Sequence, residues 1–443
     1  MRHKRVNSME LGQLVEEGIA EIYLIDPVTK KLTLWEEGGD NAIEESVLIG
    51  GGQQGKVYAV VVAYKEEGVE QKQLCAVKVF GGKNPEKKMH ALVTQSDQTS
   101  TQNNIIKLMS VVERTNNENE TQHYSLIPFC GLFLENLMES ILEIKKSNFG
   151  LYKQVVLHAV IDLLKAVKFM HDSGYVHGDI KSANIAYYKG HICLIDLDCA
   201  LKIGEKVTVT SGSPLYMHPA CFLDADFCAR PENDIFSLGV FLKELLGDEA
   251  TIEWMQKWKA REAEATKMML LSELSKAQAD RLREAPERSE MDSNLDLRAR
   301  LSELKTDELQ LKYIAEQMTS LSSQPTVAAL LDCCEMLKKK LLADSEKTDP
   351  VAAQAKALQG FYESLIPVRF LSGLDSDIVS PLRCEDSRVS FFQLPRASAH
   401  RASAEEDSLT IGSSGVERSV ASADLDADIE MDDQSSVLNK PTQ

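Results

Sequence analysis

The stretch Tyr175-Val-His-Gly-Asp-Ile-Lys-Ser-Ala-Asn184 constrains this chain more than any other. Residues 151–172, just before it, carry Val155, Val156, Ala159, Val160, Leu163, Leu164, Val167 and Met170 at helical spacing, a broad apolar face that predicts a buried support helix. After it comes the apolar run Ile192-Cys-Leu-Ile195, read as a short buried strand, with Asp196 at its end. A polar loop is therefore held between a buried helix and a buried strand. His158 and His171 on the helix read as structural, since nothing pairs them with a nucleophile.

The loop places an acid at Asp179, a lysine two residues on at Lys181 and an amide five residues on at Asn184. Two carboxylates and an amide in that arrangement suit phosphoryl transfer. One acid can orient an acceptor hydroxyl and take its proton, while the amide and the other acid hold magnesium against the phosphates.

A phosphate-binding element is predicted upstream. Val47-Leu-Ile-Gly-Gly-Gly-Gln-Gln-Gly-Lys-Val-Tyr58 fits the pattern G-x-G-x-x-G-x-V, with Gly50, Gly51, Gly52 and Gly55 at a turn and Val57 beyond it. The glycines lie between two strand-like runs rather than at the start of a helix, which disfavours a dinucleotide fold and favours a hairpin. Without side chains at its tip, the hairpin lets backbone amides approach phosphate oxygens. About twenty residues on, Lys78 sits alone in the apolar strand Leu74-Cys-Ala-Val-Lys-Val-Phe80.

Taken in order, these segments resemble the glycine-rich loop, V-A-I-K strand, H-R-D-x-K-x-x-N loop and D-F-G segment of eukaryotic-type serine/threonine protein kinases. Gly212-Ser-Pro-Leu-Tyr-Met-His-Pro-Ala220 is similar to the family's peptide-seating segment, and Asp234-Ile-Phe-Ser-Leu-Gly239 to the start of its central helix. The resemblance covers roughly residues 43–342. It implies an α+β bilobal fold: an antiparallel-sheet N-lobe over 43–129 and a mainly helical C-lobe over 130–342. It also implies ATP and Mg2+ as cofactors and protein substrates. Lys78 would contact the α- and β-phosphates, and adenine would bond the backbone around Phe129 and Cys130. The acid that pairs with Lys78 would be Glu86 on a following short helix, with Asp97, at a more usual spacing but with a shorter side chain, as the alternative. Lys181 would neutralise the migrating γ-phosphoryl, and Asp234 would bond the backbone of the catalytic loop.

The chain departs from the family at several positions. Gly178 replaces the arginine that clasps an activation-segment phosphate, which implies activity without phosphorylation of Thr208, Thr210 or Ser211. Leu197-Asp198 replaces Phe-Gly, removing a glycine's backbone freedom. Ala220 and Gln324 stand where the family has a buried glutamate–arginine pair, and losing both leaves no orphan charge. His177-Gly-Asp179 also fits the H-G-D-x-x-x-x-N signature of aminoglycoside- and choline-type phosphotransferases. Against that alternative stand the full glycine loop, the peptide-seating segment and Lys181. A pseudokinase scaffold is a further alternative, opposed by the presence of Lys78, Asp179, Asn184 and Asp196 together.

Outside the kinase-like region, Glu21–Ile25 and Leu32–Trp35 around a Pro-containing turn predict a hairpin within an N-terminal extension, 1–42. Residues 250–305 read as a charged helical insert able to contact a protein, and 343–384 as a helical extension. Beyond 385 the chain is polar and acidic and should be disordered. That tail could carry an export signal, as in effector kinases that intracellular bacteria inject into a host cytosol, where host proteins would be the substrates. The net charge of −19 argues against non-specific nucleic-acid binding, and no apolar run is long enough to span a membrane. Nine cysteines without C-x-x-C spacing read as free thiols in a reducing, cytoplasmic compartment.

Overall fold

The computed structural model describes residues 11–36, 43–52, 55–79, 103–115, 121–130, 132–207, 212–222, 226–262, 295–321, 324–345, 356–362 and 374. Glu86, Thr208, Thr210, Ser211, the middle of the charged insert and the acidic tail lie outside the described residues.

The N-lobe is one antiparallel sheet built from β1 (Glu21–Ile25), β2 (Leu32–Leu34), β3 (Leu48–Gly52), β4 (Gly55–Glu66), β5 (Val69–Val79), β6 (Ser110–Thr115) and β7 (Thr121–Pro128). Its order is β2-β1-β4-β5-β7-β6, with β3 also paired to β4. The run Val57-Tyr-Ala-Val-Val-Val-Ala63 places β4 at the centre, because both faces of a strand so rich in β-branched residues must be covered. Val60 and Val62 pack with Ile22, Leu24, Cys75 and Leu126 on one face. Ala59 and Val61 pack with Leu74, Ala76 and Phe129 on the other.

The amino-terminal hairpin, preceded by the short helix α1 (Leu11–Glu16), belongs to this sheet. Its turn is tied by Asp26 Oδ1, which accepts from Val28 N at 2.9 Å and Thr29 N at 2.6 Å. Its first strand pairs with β4, Tyr23 opposite Val61. Trp35, buried just past β2, meets Tyr124 of β7 edge-to-face at 4.9 Å.

The C-lobe is assembled from α2 (Leu134–Ser147), α3 (Phe149–Asp172), α4 (Pro231–Leu246), α5 (Glu249–Glu262), α6 (Leu295–Glu303), α7 (Asp307–Met318) and α8 (Val327–Ser345). The predicted support helix is α3. Asn148 caps it, accepting from Leu151 N at 3.0 Å. Its apolar face, Val155 to Met170, is wholly buried against α2, α4 and α8. Small strands β8 (Leu132–Phe133), β10 (Ile185–Tyr188) and β11 (His191–Leu194) form a second sheet, and β9 (Tyr175–Val176) pairs with β12 (Leu201–Lys202). The ends of the charged insert are not wholly solvated, as a charge-rich helix would suggest: Met255 and Trp258 of α5 and Leu297 and Leu301 of α6 are buried. A helical segment at 356–362 returns to this core through Phe361 and Tyr362.

Helices α4 and α7 touch at Gly239. A Cβ there would lie 2.7 Å from Met318 Cβ and 2.9 Å from Thr319 Cγ2. Glycine in a helix interior costs about 1 kcal/mol relative to alanine, so propensity alone favours Gly239→Ala. Overpacking opposes it and costs about 1–3 kcal/mol. Urea unfolding of Gly239→Ala is expected to show a net loss of stability; a gain would show that the helices separate freely.

Candidate active site

Two lobes meet where β7 leaves the large sheet. After Pro128 the chain passes to β8, whose Phe133 pairs with Ala186 of the C-lobe sheet. The two residues at this crossing are divided between cores. Phe129 packs with Val61 and Ala76 of the N-lobe, and Cys130 with Ile106, Ala186 and Cys193. Burial pushes the Cys130 thiol up to about 12, so it is a neutral packing group at physiological pH.

On the N-lobe side, the register sets Lys78 opposite Val57 and Ser125, and Ala76 opposite Ile127. With a period of two, these residues share one sheet face. The β3–β4 hairpin pairs Gly50 with Val57, Gly51 with Lys56 and Gly52 with Gly55. A Cβ at Gly50 or Gly51 would meet nothing nearer than 4.0 Å. Internal packing therefore does not require glycine at either position, and the missing side chains leave room for an outside group. Oxygen-rich phosphates accepting from backbone amides fit that space.

On the C-lobe side, Asp179 is buried with its Oδ2 accepting from Asn184 Nδ2 at 2.8 Å and Lys181 Nζ at 2.9 Å. Its Oδ1 is buried and has no hydrogen-bond partner among the described residues. Asn184 also donates to the Asp179 carbonyl at 2.9 Å, closing the loop on itself. Lys181 reaches further, to Ser213 Oγ at 2.7 Å, which joins the loop to the segment expected to seat an acceptor.

Asp196 enters this cluster through backbone. Ile195 N donates to the Asn184 carbonyl at 3.0 Å, so Asn184 and Asp196 project from adjacent strand ends. His177, fully buried, ties loop to strand through its ring: Nδ1 accepts from Asp179 N at 3.3 Å and Nε2 donates to the Ile195 carbonyl at 3.1 Å. Asp196 has a φ of +63°, a left-handed conformation that a short polar side chain tolerates better than most.

The two halves meet at Lys78. Its Nζ donates to Asp196 Oδ1 and to Asp198 Oδ2, each at 2.6 Å. The sequence points to Glu86 or Asp97 as the partner, both outside the described residues, and reads Asp198 as a loss of backbone freedom. The structure adds a carboxylate on Lys78 from the same tripeptide as Asp196. An acid two residues after Asp196 was a visible signal for it. Asn184 and Asp196 offer hard oxygen donors of the kind magnesium takes.

Beneath the loop, Asp234 near the start of α4 is 1% exposed. Its Oδ2 accepts from His177 N at 2.8 Å and from His171 Nε2 at 2.9 Å, and its Oδ1 from Gly178 N at 3.0 Å. Burial alone would raise its pKa, but the bond and charge of His171 with the backbone donors outweigh it and hold the carboxyl below its usual range. Gly178 itself has φ +78°, and a Cβ there would lie 2.6 Å from the Cys199 carbonyl oxygen. Glycine suits that backbone. Gln324 donates to the Ser320 carbonyl at 3.1 Å, and Ala220 packs beside Met217, so neither position carries a charge.

A family model described as the protein kinase domain matches residues 43–342. The chain belongs to the protein kinase family. The chain is 34% identical over 130 residues to a Wee1-like protein kinase of Arabidopsis thaliana, covering 29% of this chain and 24% of the relative. It is 31% identical over 157 residues to the serine/threonine-protein kinase Kist of Rattus norvegicus, covering 32% and 37% respectively. A probable serine/threonine-protein kinase, mkcF, of Dictyostelium discoideum is 27% identical over 207 residues, covering 45% and 27%. The matched regions thus span well under half the length of these relatives. Among the described residues no helix is long and apolar enough to cross a membrane.

The buried Asp234 gives a pH-dependent prediction. Because its folded pKa is depressed, its contribution is complete above the unfolded value and is lost as pH falls below about 4. Asp234→Asn should lower stability at pH 7 by about 2–3 kcal/mol. The deficit should shrink toward acid pH, as urea titrations at both pH values would show. A deficit that is constant with pH would mean that the charge is not what holds the loop.

Proposed function

We propose that this chain is a magnesium-dependent protein serine/threonine kinase that transfers the γ-phosphoryl of ATP to hydroxyls of protein substrates. The observation that carries this reading is the bonding of Asp179 with Asn184 and Lys181 on a loop whose Asn184 carbonyl accepts from Ile195, next to the Asp196 that Lys78 holds from the opposite lobe.

In this reading Asp179 Oδ1, the oxygen with no hydrogen-bond partner among the described residues, accepts the proton of the substrate hydroxyl. Oδ2 is occupied by Asn184 and Lys181, which fixes the carboxylate plane and aims the other oxygen. Lys181 lies between Asp179 and Ser213, placed to balance negative charge as the phosphoryl moves. Lys78 holds the non-transferred phosphates, and the backbone of Gly50, Gly51, Gly52 and Gly55 covers them beside Val57. Phe129 and Cys130 present the backbone edge for adenine. Asn184 and Asp196 would hold magnesium, which supplies positive charge to the phosphate oxygens. Asp198, also bonded to Lys78, would keep that lysine oriented if Asp196 holds the metal.

We further propose that turnover does not need a phosphorylated activation segment. An arginine at position 178 would meet both the positive φ and the Cys199 carbonyl, and Gly178 carries no charge to clasp a phosphate.

Phosphosite mapping by mass spectrometry tests both statements. With magnesium-ATP and a mixture of proteins, new phosphoserine or phosphothreonine is expected, and it should vanish in Asp179→Ala and Asp196→Ala. Turnover only with an added small alcohol would assign the chain to small-molecule phosphotransfer, and nucleotide binding without any transfer would make it a scaffold. Replacing Thr208, Thr210 and Ser211 together by alanine should leave the rate within about twofold; a fall of about tenfold, worth 1.4 kcal/mol at the transition state, would show dependence on phosphorylation.

A further inference from the structure

Another cluster lies apart from these residues, where α3 passes the start of β11. His158 and Asp162 are four apart on one face of α3, and His191 opens β11. His158 Nε2 lies 3.1 Å from Asp162 Oδ2, and His191 Nδ1 lies 3.4 Å from the same oxygen. All three candidate ligand atoms fall within 4.8 Å of one another. Tetrahedral zinc with bonds of about 2.0–2.1 Å separates neighbouring ligand atoms by roughly 3.3 Å, so little movement is needed.

The surroundings fit a metal centre in three further respects. Asp162 is 4% exposed, and Ile192 N donates to its Oδ2 at 3.0 Å, holding the carboxylate in place. The other oxygen, Oδ1, faces Lys165 Nζ at 3.9 Å, which leaves Oδ2 as the ligand. His191 is half-exposed, so the cluster has a solvent entry path.

A buried hydroxyl points to a missing partner. Tyr362 is fully buried, stacked on Tyr187 at 4.4 Å and beside the His158 ring at 5.9 Å. Its hydroxyl has no hydrogen-bond partner among the described residues. A buried hydroxyl left without a partner is unfavourable, and a water on a metal at the cluster could satisfy it.

We propose that His158, Asp162 and His191 bind one zinc ion, with a fourth position taken by water that Tyr362 caps. The ion would clamp α3 to β11 and to the segment 356–362. Helix α3 leads into the catalytic loop, and β11 ends two residues before Asp196. A metal here would therefore stiffen both supports of the active site without touching substrate.

The test uses the full chain, stripped with chelator and held in excess magnesium, which occupies oxygen-donor sites but competes poorly for imidazole. Zinc is titrated against a chromophoric chelator. One equivalent should bind tightly, and His191→Ala, whose side chain is half-exposed and whose loss should be tolerated, should weaken it at least about 100-fold. Zinc should also raise the melting temperature of the wild-type chain by about 5 °C or more, and that of His191→Ala hardly at all. Cobalt substitution should give the visible absorption of a tetrahedral site, lost in His158→Gln as well. Zinc bound equally by both variants, or by neither variant nor wild type, would overturn the proposal and leave two imidazoles hydrogen-bonded to a buried carboxylate.

Discussion

One buried carboxylate sets the geometry on which the active site depends. Asp234 takes two consecutive backbone amides of the loop, at His177 and Gly178, and balances its charge with His171 from the end of α3. Leaving a buried carboxylate without such donors would cost several kcal/mol, so the loop cannot leave Asp234 cheaply. That constraint decides the conformation at residue 178, where the backbone takes a positive φ against the Cys199 carbonyl. It also orients His177, whose ring carries the order from loop to strand and so to Asp196. The catalytic-loop side chains are thus positioned by backbone hydrogen bonds one layer below them.

Across the cleft the organising contact is Lys78. A lysine near the end of a strand that buries Leu74 to Val77 loses its hydration, and two carboxylates from one turn compensate it. Asp196 and Asp198 both belong to the C-lobe, so the same contact registers the two lobes. The turn that presents them is short and carries positive φ at Asp196, and Leu197 between them is buried in the C-lobe core. The pair of acids is therefore anchored from behind, and both carboxylates hold Lys78.

The fold class was legible because its signals are local. Continuous β-branched residues announced β4, a broad apolar face announced α3, and the glycines separated β3 from β4. The spacing of Asp179, Lys181 and Asn184 showed that they share one loop, and the structure brings these three side chains together. Less was legible where tertiary partners decide. The amino-terminal hairpin could be read as a hairpin, but its pairing with β4 depends on residues some forty positions away. Composition marked the insert as solvated, whereas Met255, Trp258, Leu297 and Leu301 turn its ends inward. The bond between Asp198 and Lys78 spans 120 positions and follows from no periodicity. His158 read as structural on its helix because neither His191 nor Tyr362 is near it in sequence.

The account stands most directly on Asp179. Single-turnover transfer of the γ-phosphoryl should be compared between wild type and Asp179→Asn, with ATP affinity measured on both. If Asp179 takes the hydroxyl proton, transfer should fall about 10²–10⁴-fold while ATP binding is unchanged. Transfer at the wild-type rate by Asp179→Asn would contradict the assignment of this loop as the catalytic one.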